Sequence, residues 1–156
     1  MAIPVREWKR VRTTSSTDAS FPARIATTTE PVDDGVWTIP NGEDTLELVP
    51  FGIANDDHTC DMRVIGWRKI ETLWVPIVIT QVALTHCTAV GVASAAVLNT
   101  ERFCDTTSVT KGAATVQTVP DNTINYIIVG VDGFRKFEVT FDLGAGTNAN
   151  ALFALY

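Results

Sequence analysis

The run LWVPIVITQVALT, from Leu73 to Thr85, constrains the fold more than any other part of the chain. It is the most hydrophobic stretch and is rich in β-branched residues, which lose side-chain freedom in a helix and fit a pleated strand. Pro76 adds a second constraint, because it can neither donate to a helix interior nor sit in the middle of a hydrogen-bonded ladder. The expectation is a long strand that bends at Pro76, with the proline at an edge or a bulge. A chain with such a segment, abundant Thr and Val, and few of the usual helix-surface residues points to an all-β protein.

The rest of the sequence supports that class. Val36 to Ile39 reads as a short strand between turn residues, and Leu46, Leu48 and Phe51 continue with period 2. Cys60, Met62 and Val64 alternate with Asp61 and Arg63, and a bulge at Gly66 is expected to let Trp67 change face. AVGVASAAVLN is ambiguous between a helical turn and a plain connection, and is assigned as a connection. Strands are expected at 115–119, 124–131 and 134–143, the last two joined as a hairpin through Asp132-Gly133. Phe137, Val139, Phe141 and Leu143 face one way and Glu138, Thr140 and Asp142 the other, the signature of a half-buried strand. The C-terminal residues alternate Ala151, Phe153 and Leu155 against Leu152, Ala154 and Tyr156. Both faces are apolar, which places this strand in the middle of a sheet or at a subunit contact. About eight strands spaced roughly ten residues apart, with no helices between, predict a two-layer antiparallel β-sandwich. A jelly roll suits the strand number best, with an immunoglobulin-like sandwich second.

The chain has 156 residues, enough for one domain with its own core. Its organisation is expected to be an extended basic N-terminal arm over 1–32 and a single sandwich domain over 33–156. Arg6, Lys9, Arg10, Arg12 and Arg24 against Glu7 and Asp18 leave the first 24 residues at +3, so the remainder of a chain of net charge -6 carries -9. An acidic body repels nucleic acid. The arm reads either as a segment ordered by a partner or as a first strand on a sheet edge. No apolar leader begins the sequence and no run is long enough to span a bilayer, so a cytosolic origin without membrane contact is expected. Cys60, Cys87 and Cys104 suggest no disulfide framework.

Chemistry-bearing residues are sparse. Asn55 to Asp61 gathers Asp56, Asp57, His58, Cys60 and Asp61, but the spacing matches no metal motif and is ordinary turn chemistry. His58 and His86 have no neighbouring nucleophile motif, and Ser94 lacks the glycines of a nucleophile elbow. Cys87 and Cys104 sit among small and apolar residues, as structural cysteines do. Asp33-Asp34 and Glu43-Asp44 read as solvated turns, and Gly144-Ala145-Gly146 lacks the lysine and helix of a phosphate loop. No catalytic residue, cofactor site or metal site is therefore assigned. Of the four tryptophans, Trp37 and Trp74 are expected in the core, while Trp8 lies among cations in the arm, where an aromatic flanked by arginines makes a docking anchor.

TLWVPIVITQVALTHCTAVGVASAAV, followed by FCDTT and closed by TNANALFALY, resembles small virion structural proteins of tailed bacteriophages, in particular the accessory proteins that decorate or cement the head. The resemblance is one of texture over residues 60–156 and excludes the arm. It implies a non-enzymatic β-sandwich on the outer surface of the head, made in the host cytoplasm, bound to the major capsid protein and commonly trimeric. On that reading Trp8, Arg10 and Arg12 are the expected partner contacts, and Phe153 and Tyr156 the expected subunit contact. The alternative is a carbohydrate- or receptor-binding sandwich module of a phage tail or neck, drawing on the tryptophans and the loop around Asp56.

Overall fold

The computed structural model describes residues 8–10, 21–32, 35–53, 60–85, 101–103, 105–111, 114–118, 127–142 and 150–156. Eleven strands and no helix occur among them. In chain order they are β1 (Lys9–Arg10), β2 (Val36–Thr38), β3 (Thr45–Ile53), β4 (Cys60–Ile70), β5 (Leu73–Thr85), β6 (Glu101–Phe103), β7 (Asp105–Lys111), β8 (Ala114–Thr118), β9 (Ile127–Gly130), β10 (Lys136–Asp142) and β11 (Asn150–Leu155). All pair antiparallel, in two sheets. The five-stranded sheet runs β1-β11-β3, with β9 and β6 in succession along the other side of β3. The six-stranded sheet runs β2-β10-β4-β5-β7-β8.

One buried cluster draws side chains from both sheets. Leu46, Leu48, Val129 and Phe153 come from the smaller sheet, and Met62, Val64, Val82, Leu84, Phe137 and Val139 from the larger. The Phe153 ring stands edge-on to Trp37 and Phe137, with centroids 4.8 and 5.1 Å away. That arrangement suits the ring quadrupoles. β11 therefore lies inside its sheet, between β1 and β3, as two apolar faces require.

The long β5 strand behaves as the sequence suggests. Pro76 faces Trp67 of β4, while β7 covers only Thr80 to Thr85, so among the described residues the proline has a ladder neighbour on one side. Two residues earlier, the backbone of Trp74 points away from β4 and exchanges hydrogen bonds with Thr27, at 2.7 and 3.0 Å. The proline nitrogen points the same way, where its missing hydrogen costs no β4 bond.

Several local expectations differ from what is found. The irregularity beside Gly66 is an extra residue in β5: the partner of β4 jumps from Thr80 at Val64 to Val78 at Ile65, leaving Ile79 over. Trp67 needs no face change, because plain alternation from Met62 and Val64 already puts it on the opposite face. Asp132-Gly133 does form a tight turn, with Gly133 at φ 78 and Phe134 N donating to Val131 O at 3.1 Å. It is not a hairpin, however, since β9 pairs with β3 and β10 with β4 and β2, so the turn carries the chain from one sheet to the other. β10 is buried on both faces rather than half-buried, with Lys136, Glu138 and Thr140 nearly as enclosed as Phe137. The Thr-rich segment of β7, not expected as a strand, pairs with both β5 and β8. AVGVASAAVLN, Asp33-Asp34, Gly144-Ala145-Gly146 and Leu143 lie outside the described residues.

Gly66 leaves room for Phe134 and Ile79, which pack against the main core. A Cβ at this position would clash with the Phe134 ring and lie 2.7 Å from Ile79. Gly66→Ala is expected to destabilise the protein by about 1–3 kcal/mol through overpacking. Gly130→Ala, where a Cβ would meet nothing within 4 Å, serves as the neutral control. Urea denaturation of the two variants checks this, and equal midpoints would refute it.

Candidate functional site

The outer face of the larger sheet carries its polar chemistry. Along β10, Lys136, Glu138 and Thr140 alternate away from the core, and β4 places Ile65 and Trp67 beside them. Ile65, Trp67 and Trp74 form a second small apolar cluster on this face, with Val36 packed against it. Glu138 is 3% exposed. A carboxylate this enclosed has to be matched by charge and by hydrogen bonds. Arg24 supplies a fork, Nε and Nη2 donating to the two carboxylate oxygens at 2.8 and 3.0 Å, and Trp67 Nε1 donates to one of them at 3.2 Å.

Residues 21–32 run across this face as a strap. The Phe21 ring lies 3.9 Å from the Arg63 guanidinium carbon, Arg24 grips Glu138, and Thr27 pairs with Trp74. Pro31 O accepts a 2.9 Å hydrogen bond from Lys136 Nζ, which also contacts Glu30 at 2.7 Å. The hydrogen bond from Lys136, reinforced by its charge, holds the Glu30 carboxyl below its ordinary value. A depressed carboxyl pKa stabilises the folded state above the ordinary carboxylate range, and that contribution is lost as pH falls through the lowered value. Protonation of Glu30 removes that contribution, while the hydrogen bond from Lys136 to Pro31 O does not depend on it. Arg24, counted by sequence among the arm's free cations, is spent inside the domain.

The tryptophans divide accordingly. Trp74 is buried as expected, but in the outer cluster rather than the main core. Trp37 is half-buried against the main core, and its Nε1 finds no hydrogen-bond partner among the described residues. Trp67 is 4% exposed, so neither it nor Trp74 presents a flat ring to a sugar. Trp8 is the exception at 41% exposed, and it belongs to neither buried cluster.

The arm and the C-terminal strand come together. Lys9 lies opposite Phe153 and Arg10 opposite Leu152, so β1 forms the edge of the smaller sheet directly after Trp8. Arg12 lies outside the described residues. Beside β1 is a recess of about 230 Å³ bordered by Lys9, Trp37, Glu43, Phe153 and Leu155. Of the two residues expected at a subunit contact, Phe153 is 3% exposed and its ring is used by the domain's own core. Tyr156 keeps an exposed ring, with its hydroxyl donating to Glu47 and its backbone bonded to Asp44 and Thr45. A first strand on a sheet edge is one of the two sequence readings of the arm, but nothing local signals that Lys9 will lie opposite Phe153 or border this recess.

Of the polar cluster around Asp56, only Asp61 and the backbone of Cys60 are described, and the Asp61 carboxylate accepts a 2.9 Å hydrogen bond from Gln81 Nε2. His58, His86, Ser94, Cys87 and Cys104 lie outside the described residues. No group of three metal-ligating side chains gathers among those described. No protein-family model, curated protein or solved structure matches the chain.

Removing Arg24 tests the strap. Arg24→Ala leaves a buried carboxylate with one indole donor, and is expected to cost about 3 kcal/mol, the low end for a broken buried pair because Arg24 keeps some solvent contact. The double variant Arg24→Met/Glu138→Leu is expected to recover most of that loss. Denaturant midpoints for the three proteins decide it, and a single variant indistinguishable from the parent would remove the strap's anchoring role.

Proposed function

We propose that the protein is a non-enzymatic β-sandwich that works by attachment to a larger protein assembly. Within that class, the particular reading is a decoration or cement protein on the outer surface of a tailed-bacteriophage head. It binds the major capsid protein, acts as a trimer and stabilises the particle by binding only its assembled state. Synthesis takes place in the host cytoplasm.

The observation that carries the attachment reading is Trp8. A large aromatic, 41% exposed and outside both buried clusters, is held at a sheet edge beside the exposed Lys9. Aromatic and cationic neighbours of this kind are the usual anchors of protein interfaces. The resemblance of residues 60–156 to head accessory proteins supports the more particular part. The sandwich description draws on the shared core, and its jelly-roll-like character on nested pairing, in which β3 takes β11 and β4 takes β10. The run β4-β5-β7-β8 departs from that plan, with neighbours following in chain order except that β6 crosses to the smaller sheet between β5 and β7. Arg10 and Arg12 extend the proposed contact along the arm. Tyr156 is the exposed member of the proposed subunit contact, with Phe153 supporting it from within.

Deleting residues 1–12 is expected to leave a folded domain, because those of them that are described, residues 8–10, belong to neither core cluster. The same deletion is expected to abolish attachment to particles, read as occupancy after co-sedimentation. Trp8→Ala alone is expected to weaken attachment by about 2 kcal/mol, some thirtyfold, as for a central interface aromatic. Undiminished occupancy of the truncated protein would overturn the assignment. Light scattering over a concentration range checks the trimer.

A further inference from the structure

A second site lies on the other side of the Pro40–Glu43 turn from the arm. It is a cleft of about 390 Å³ between that turn, the Asp132-Gly133 turn and the end of β4. Its frame is fixed by backbone bonds. Ile39 N donates to Arg135 O and Arg135 N to Trp67 O, both at 2.9 Å, and Glu43 N closes its turn onto Pro40 O at 3.2 Å. Three segments distant in sequence are thereby held in one row.

Three cations line this cleft, Arg68, Lys69 and Arg135, in a chain whose net charge is -6. Arg68 is held in place: its Nε donates to Gly133 O at 3.2 Å, and its guanidinium lies 4.8 Å from the Phe134 ring centroid. Arg135 Nη1 donates to Asn41 Oδ1 at 3.4 Å. Lys69 Nζ stands 5.7 Å from the Trp74 ring centroid. Among the described residues none of the three has a carboxylate within ion-pair distance, although Glu43 and Asp132 are on the same lining. The direct partners of these cations are neutral groups that position them, while Lys69 also acts electrostatically on Glu30.

We infer that this cleft binds an acidic saccharide, a pyranose ring carrying one carboxylate. Arginine forks match a carboxylate in two-point geometry. The volume is that of a small-molecule site rather than a flat protein contact. Glu43 and Asp132 point to the same class, because side-chain carboxylates accept hydrogen bonds from ring hydroxyls and disfavour a densely charged ligand such as phosphate. Asn41 adds a donor and acceptor, and Pro40 an apolar surface for a ring face. The inference stands apart from the attachment reading, since the cleft contains no residue of the arm.

The full-length protein is titrated with galacturonate, galactose and inorganic phosphate, followed by amide and arginine side-chain NMR resonances. Galacturonate is expected to shift the signals of Asn41, Gly133 and the two arginines. Galactose is expected to bind at least about tenfold more weakly, the loss of one charged hydrogen-bonded pair. Arg135→Ala and Arg68→Ala are each expected to reduce galacturonate affinity about tenfold or more. Arg135→Ala is the decisive variant, because Arg135 is exposed and its loss leaves the frame's backbone bonds in place. The inference is overturned if those signals do not move, if galactose binds as tightly, if phosphate competes on equal terms, or if Arg135→Ala binds like the parent.

Discussion

Glu138 sets the terms for one whole side of the molecule. A carboxylate on the second strand of a six-stranded sheet, nearly sealed from water, is tolerable only if opposite charge and donors reach it in place. β10 cannot provide them, because its own neighbours there are Lys136 and Thr140, and Lys136 is engaged with Glu30 and Pro31. The Arg24 fork and the Trp67 indole supply them instead. Once Arg24 is fixed, the segment around it has little freedom. Phe21 settles on Arg63, Thr27 pairs with Trp74 and Pro31 reaches Lys136. The outer apolar cluster of Ile65, Trp67 and Trp74 is buried beside these contacts.

This also resolves why β10 is buried on both faces when its sequence alternates. A polar row on a strand ordinarily marks a solvent face. Here Lys136 and Glu138 are each matched to an opposite charge on the strap, so the row marks a second interface. The ion pairs give that interface its register: cation to Glu138 at one point and anion to Lys136 at another, so a strap displaced along the face would meet like charge.

The strands were legible where side-chain period decides the outcome. Leu46 and Leu48, Met62 and Val64, and Phe137, Val139 and Phe141 alternate in the sequence and turn inward in the structure. Pro76 also declared its place, because a missing donor restricts position by local chemistry alone. What the sequence left undetermined was partnership. Asp132-Gly133 states that the chain turns, but the turn residues do not say whether the following strand pairs with the preceding one. Burial of β10 on two faces draws it into the larger sheet instead. β7 was hidden for a related reason: its threonines alternate with nothing apolar enough to give a period. The Arg24–Glu138 pair spans 114 residues of sequence, and the cleft assembles Arg68, Arg135 and Asn41 from three strand ends. Neither carries a local signature.

The N-terminal arm and the C-terminal strand, separate features of the sequence, belong to one edge. β1 is only two residues long, yet among the described residues it is what lies along the outer side of β11. An unpaired edge beside Phe153 and Leu152 would be a ready template for another strand, and a short cationic strand is a common way of blunting it. Trp8 and Lys9 therefore have two physical roles at the same place. They are exposed to solvent, and they are attached to the strand that shields the edge. A partner that took hold of the arm would bear on the ladder between Lys9 and Phe153. Among the described residues β1 meets β11 at only two paired positions, while β11 is held on its other side by six paired positions of β3. By that comparison a pull on β1 is expected to part it from β11 before it disturbs the core beneath.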